Sequence, residues 1–164
     1  MKFVVDTNVA VVANQRAHQA SVQCIIFCAR QLRDITQHHT IVLDSGWRIL
    51  NEYKNNLNQA GQPGVGDAFC KWALTNWANP QRCELVAITE IDDAASWRTF
   101  VEFPDDPELQ RFDPSDRKFV AVALAHGETP PILNAVDTDW REHQAALTGH
   151  GVQLQFLCPD AMHS

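Results

Sequence analysis

The chain is short of positive charge: 13 lysines and arginines stand against 20 aspartates and glutamates, a formal net charge of −7. That deficit disfavours generic binding of nucleic acid, or of an anionic membrane surface, by the bare protein. No apolar run is long enough to span a bilayer. The N-terminal run Phe3-Val4-Val5 is broken by Asp6 and Asn8, which makes it a poor signal peptide. Cysteine is scarce and scattered, at Cys24, Cys28, Cys70, Cys83 and Cys158. An odd number at wide spacing predicts reduced thiols in a cytoplasmic protein. Cys24 and Cys28 share one face of a predicted helix, and no second Cys/His pair at zinc spacing accompanies them, so core packing is expected there. Internal repeats and low-complexity segments are absent too.

What is present suits one globular domain over 1–164, with 45% hydrophobic and 20% charged residues. A chain of this length buries a sizeable core without staples. Residues 2–5 read as a strand covered on both faces, because the apolar run does not alternate. Helical spacing predicts an amphipathic helix over 18–37, and TIVLD at 40–44 reads as a second strand. Ser45 is placed to cap a helix reaching Leu57, a loop is expected at 60–66 and a helix at 67–77. A strand at 84–88, a helix near 93–101 and an irregular surface stretch over 103–114 follow. A helix from Pro114 to His126 and strands at 131–136 and 152–157 complete the order. Strands alternating with helices imply a three-layer α/β/α sandwich with a mainly parallel central sheet. Functional groups in such sheets collect at the carboxyl ends of the strands, where Asp6, Asp44 and the segment starting at Asp137 fall.

Each acid has a plain structural reading. Asp6 suits the N-cap of a following helix, and Asp113-Pro114 suits a cap followed by the first helical position. Asp116 is only partly explained as first-turn charge on a helix that is apolar all round from Phe119 to Ala125. Glu52 taken alone belongs to a solvated helix face, and either Asp137 or Asp139 alone is a turn aspartate.

Taken in order, V-V-D-T-N, a helical N-E-Y, S-D-R-K-F-V-A-V-A-L-A and V-D-T-D-W carry a further signal. From Phe3 to about Leu157 the chain resembles the PIN-domain family of metal-dependent nucleases, including its VapC-type toxins. The resemblance implies a catalytic and metal-binding acidic set of Asp6, Glu52, Asp116 and one or both of Asp137 and Asp139. Thr7, Asn8 and Asn134 would support it from behind. Clustered carboxylates repel unless a cation neutralises them, and oxygen ligands suit Mg²⁺ or Mn²⁺. The implied activity is endonucleolytic cleavage of single-stranded RNA by metal-activated water, with one or two ions. Lys54, Arg111, Arg117, Lys118 and Arg141 are the basic residues near these motifs that would meet RNA. Trp47, Phe112 and Trp140 are candidates to stack a base, with buried packing the plainer reading. Family members are often toxins with an antitoxin protein partner, and a homodimer is left open. A catalytically silent PIN-like binding or assembly module is the competing expectation. An aspartate-based phosphotransferase fits less well, because Asn8 stands where a second aspartate is wanted.

Overall fold

In the computed structural model, residues 1–58 and 63–161 are described. Strands β1 (Lys2–Val5), β2 (Thr40–Asp44), β3 (Cys83–Val86), β4 (Ile132–Asn134) and β5 (Leu154–Phe156) form one sheet. Its order is β3-β2-β1-β4-β5, and every pairing is parallel. Phe3, Val4 and Val5 point alternately to opposite faces of β1, yet all are buried. Both faces of the sheet are therefore covered, and the architecture is a three-layer α/β/α sandwich.

Among the described residues seven α-helices fill the layers: α1 (Thr7–Ala13), α2 (Val22–His38), α3 (Arg48–Asn56), α4 (Val65–Asn76), α5 (Arg117–Ala125), α6 (Thr138–Glu142) and α7 (Gln144–Gly149). Helix α5 packs on β1, β2 and β4, whereas α1, α2 and α4 pack on one another. Gly66 makes the last contact tight: a Cβ there would stand 2.0 Å from the Ala10 carbonyl oxygen of α1. Connections run outward from β1 to β2 and β3, then return to lay β4 on its other side. That reversal puts a crevice at the carboxyl ends of β1 and β4, the usual ligand position in an open parallel sheet.

Several sequence expectations are corrected. Helix α1 is the helix that the capping reading of Asp6 expects, whereas α6 and α7 occupy a segment with no predicted element. The predicted helix near 93–101 is irregular, with one antiparallel bridge between Glu90 and Phe100. The stretch 103–114 is irregular as expected, but it is not merely superficial: Phe103, Leu109 and Phe112 are buried. Ser45 does not cap α3. Asp44 does, since its carboxylate accepts from the Arg48 and Ile49 backbone N–H groups at 2.9 Å each. The expected loop at 60–66 lies partly outside the described residues. Reduced thiols are corrected for one pair: Cys24 is disulfide-bonded to Cys158, joining the first turn of α2 to the exit of β5, whereas Cys28, Cys70 and Cys83 are free. Cys28 packs in the core as expected, 3.8 Å from the Cys158 sulfur.

Candidate metal centre

Three carboxylates meet in the crevice. One ligand oxygen from each of Asp6, Asp116 and Asp137 lies within 4.8 Å of the others. Asp6 directly follows β1, where parallel pairing sets it beside the end of β4. Its Oδ1 accepts from Asn8 N–H at 2.9 Å, which makes it the N-cap of α1. Its Oδ2 accepts from Trp140 Nε1–H at 2.7 Å. Asp6 is therefore at once the cap of α1 and a member of the carboxylate trio.

Asp116 separates the two readings. Asp113 caps the short 3-10 turn Pro114–Asp116 with Pro114 at its first position, while Asp116 precedes α5 and makes no capping bond. It is only 7% exposed, and its Oδ2 has no hydrogen-bond partner. Such an orphan is costly in a folded protein and asks for an explanation. Burial first, then the charges of Asp6 and Asp137, push the Asp116 carboxyl up to about 10. Asp6 is pushed up to about 7, chiefly by burial and with the charge of Glu52 adding to it.

Asp137 and Asp139 part company here. Asp137 joins the trio and caps α6 through Asp139 N–H at 3.0 Å. Asp139 is turned to other work, accepting from Asp113 N–H at 2.8 Å and pairing with His143 Nδ1 at 3.2 Å. Glu52 stands on the flank of the trio. It accepts from Thr7 Oγ1 and forms an ion pair with Lys118 Nζ at 2.6 Å. Behind the site, Asn8 ties α1 to the end of β4: its Oδ1 accepts from Ala135 N–H at 2.7 Å, and its Nδ2 donates to Asn134 Oδ1 at 2.5 Å. Asn134 Nδ2 in turn donates to the Asp137 carbonyl at 3.0 Å.

The basic residues divide. Lys118 lies at the site through Glu52, and Lys54 and Arg111 are exposed. Arg141 is exposed and donates to the Pro159 carbonyl at 3.4 Å. Arg117 is a correction, being only 4% exposed. It donates to the carbonyls of Trp97, Gln110 and Phe112 and to Thr99 Oγ1, and lies over the rings of Trp97 and Phe103. Its guanidinium organises the irregular segment from 97 to 112 and cannot meet RNA. Trp140 and Phe112 are fully buried against each other, which removes them as stacking surfaces; Trp47 packs edge-on against Trp77.

Sequence reasoning missed the roles of Tyr53 and Trp140 as donors near the site. Tyr53 Oη donates to the Val5 carbonyl at 2.6 Å, beneath Asp6. The signal was legible in kind, since a buried Tyr or Trp seeks an acceptor for its polar hydrogen.

An all-oxygen set of close carboxylates with one buried orphan oxygen fits a hard divalent cation and offers nothing to a soft one. No helix among the described residues is long and apolar enough to cross a membrane. No family model, curated protein or solved structure matches the chain.

Proposed function

We propose that the protein is a Mg²⁺- or Mn²⁺-dependent endoribonuclease acting on single-stranded RNA. The observation that carries this reading is the Asp116 carboxylate, buried, uncapped and facing Asp6 and Asp137 with one oxygen unpartnered. Asp6, Asp116 and Asp137 would hold the cation, with Glu52 contributing charge from the flank. Bound there, a hard divalent cation activates water and neutralises charge at a phosphodiester. The chain's own residues prepare the position. Trp140 Nε1–H and Asn8 N–H fix the orientation of Asp6, and the Asn8–Asn134 bridge fixes the turn that presents Asp137. Lys118 holds Glu52 in place and keeps a positive charge beside the cluster. The choice of RNA, and an antitoxin as protein partner, rest on the family resemblance of the motifs.

The test is a cleavage assay on mixed single-stranded RNA with Mg²⁺ or Mn²⁺, run beside Asp6→Asn. Cleavage that needs the metal and disappears in the variant supports the reading. Absence of cleavage by the wild-type protein with either metal overturns it and favours a silent binding module.

A further inference from the structure

A cleft of about 350 Å³ opens beside the carboxylate trio. Thr7, Asn8, Glu52 and Val136 form its wall toward the site. Thr7 follows Asp6 and Val136 precedes Asp137, so the cleft and the trio share two backbone turns. The outer wall is the connection between α1 and α2, which turns at Gln15 (φ 62°) and presents Arg16, His18 and Gln19 to the opening.

The chemistry of this wall differs from that of the trio. Arg16, His18 and Gln19 make no side-chain hydrogen bond or ion pair among the described residues, although the Arg16 charge does act on Asp67. Asn56, which also lines the cleft, donates to the Glu52 carbonyl at 2.8 Å. Asn8, by contrast, is fully used in the bridge to Asn134 and serves only as wall. A cationic fork, an imidazole and amide groups around a small apolar floor match the phosphate, sugar and base edge of one nucleotide. The volume falls at the small end of ordinary ligand clefts, which suits one nucleotide and not a folded partner.

We propose that this cleft is a nucleotide subsite of the RNA substrate, adjacent to the reacting phosphate, with Arg16 holding the backbone phosphate. It rests on the endoribonuclease reading for its role but not for its measurement. Arg16 adds positive charge at the opening of this cleft in an otherwise acidic protein.

The experiment has two arms. Binding of a short fluorescent single-stranded RNA is measured on the Asp116→Asn protein, with and without Arg16→Glu or Arg16→Lys, over a range of salt. Arg16→Glu is expected to weaken binding roughly tenfold and to reduce the salt dependence by about one phosphate contact, with Arg16→Lys largely restoring it. Equal affinity for all three proteins overturns the subsite, and is also the result expected if the cleft receives a protein segment instead. In the second arm, cleavage ends produced by the wild-type protein and by Arg16→Glu are mapped at equal turnover. A rise in KM with kcat nearly unchanged, and an altered distribution of cut sites, supports the subsite. An unchanged KM and cut pattern overturns it. Failure of wild-type cleavage with intact Arg16-dependent binding would sink the nuclease reading and leave the subsite standing.

Discussion

Helix α5 joins two clusters of similar residues that have been given opposite treatment. Its N-cap is Asp116, in the trio at the carboxyl ends of β1 and β4; its C-cap is His126, about 14 Å away near the amino ends of the strands. At the His126 end every charge has a partner. His126 Nε2 meets Glu84 at 2.6 Å, Glu128 N–H donates to His126 Nδ1 at 3.1 Å, and Lys2 pairs with both Glu84 and Glu128. The Glu84 carboxyl is held below its ordinary range, first by the His126 hydrogen bond and then by Lys2. At the Asp116 end carboxylate faces carboxylate and the shift is upward. One end neutralises its charges with partners inside the protein; at the other, the proposed cation would do so.

The sharpest break between them is in activity. Asp116→Asn is expected to reduce metal-dependent cleavage at least about 100-fold, while the metal-free protein melts at the same temperature or higher, since a neutral amide spares the buried, acid-flanked site the cost of taking up a proton on folding. A capping role would give the reverse, a loss of about 0.5–2 kcal/mol with cleavage intact. Melting without metal, beside the cleavage assay, decides. A lower melting temperature with full activity would make Asp116 a structural residue.

The next contrast is in pH. Asp6 and Asp116 keep protons in the folded protein that the unfolded chain loses above about pH 4, so the trio's contribution to stability falls as pH rises from there. For Asp6 the fall ends near its raised value of about 7, and for Asp116 near about 10. Glu84 has the opposite sign: its stabilisation is present above about pH 4.5 and is lost as acid protonates it. Melting curves from pH 3 to 9, read as the difference between wild type and Asp116→Asn, isolate the trio. Mg²⁺ should reverse the neutral slope, because cation binding requires the ionised carboxylates. An identical pH profile for the two proteins would mean that Asp116 is not held protonated.

At the paired end, His126→Ala removes a nearly buried ring and leaves Lys2 as the remaining partner of Glu84. A loss of about 1–3 kcal/mol follows, a fall of roughly 2–12 °C in melting temperature, with cleavage per folded molecule unchanged. Reduced cleavage at full folding would couple the two clusters and spoil the contrast.

The same contrast governs what was legible in the sequence. β1 and β2 were readable because unbroken apolar runs admit only strands covered on both faces. Asp6, Asp116 and the pair Asp137 and Asp139 are visible as residue types at strand ends and a helix start, but which of the pair joins the trio is not. Whether a carboxylate is spent on a cap or left open depends on its neighbours in space, so Asp44 looked like Asp6 and proved to be the cap of α3. Arg117 was misread for the same reason: its acceptors are carbonyls 5 to 20 residues away in a segment with no regular periodicity. The Cys24–Cys158 bond, 134 residues apart in sequence, depends on α2 and β5 being neighbours, which no local pattern records.

The smallest effect is expected at Asp139, and it tests the finest distinction. Its two oxygens are occupied by Asp113 N–H and His143, and it lies in the first turn of α6. Burial, first among its influences, raises its carboxyl above the ordinary range, but less of its surroundings is acidic than at Asp116. An asparagine there keeps one acceptor oxygen for Asp113 N–H and loses only the charge, a cost of about 0.5–1 kcal/mol. Mn²⁺ affinity, followed by titration calorimetry, should drop only a few-fold in Asp139→Asn, through the lost charge, whereas Asp137→Asn should lose measurable binding. Equal losses in the two variants would show that Asp139 turns inward when a cation arrives, and the assignment of Asp137 alone to the trio would fall.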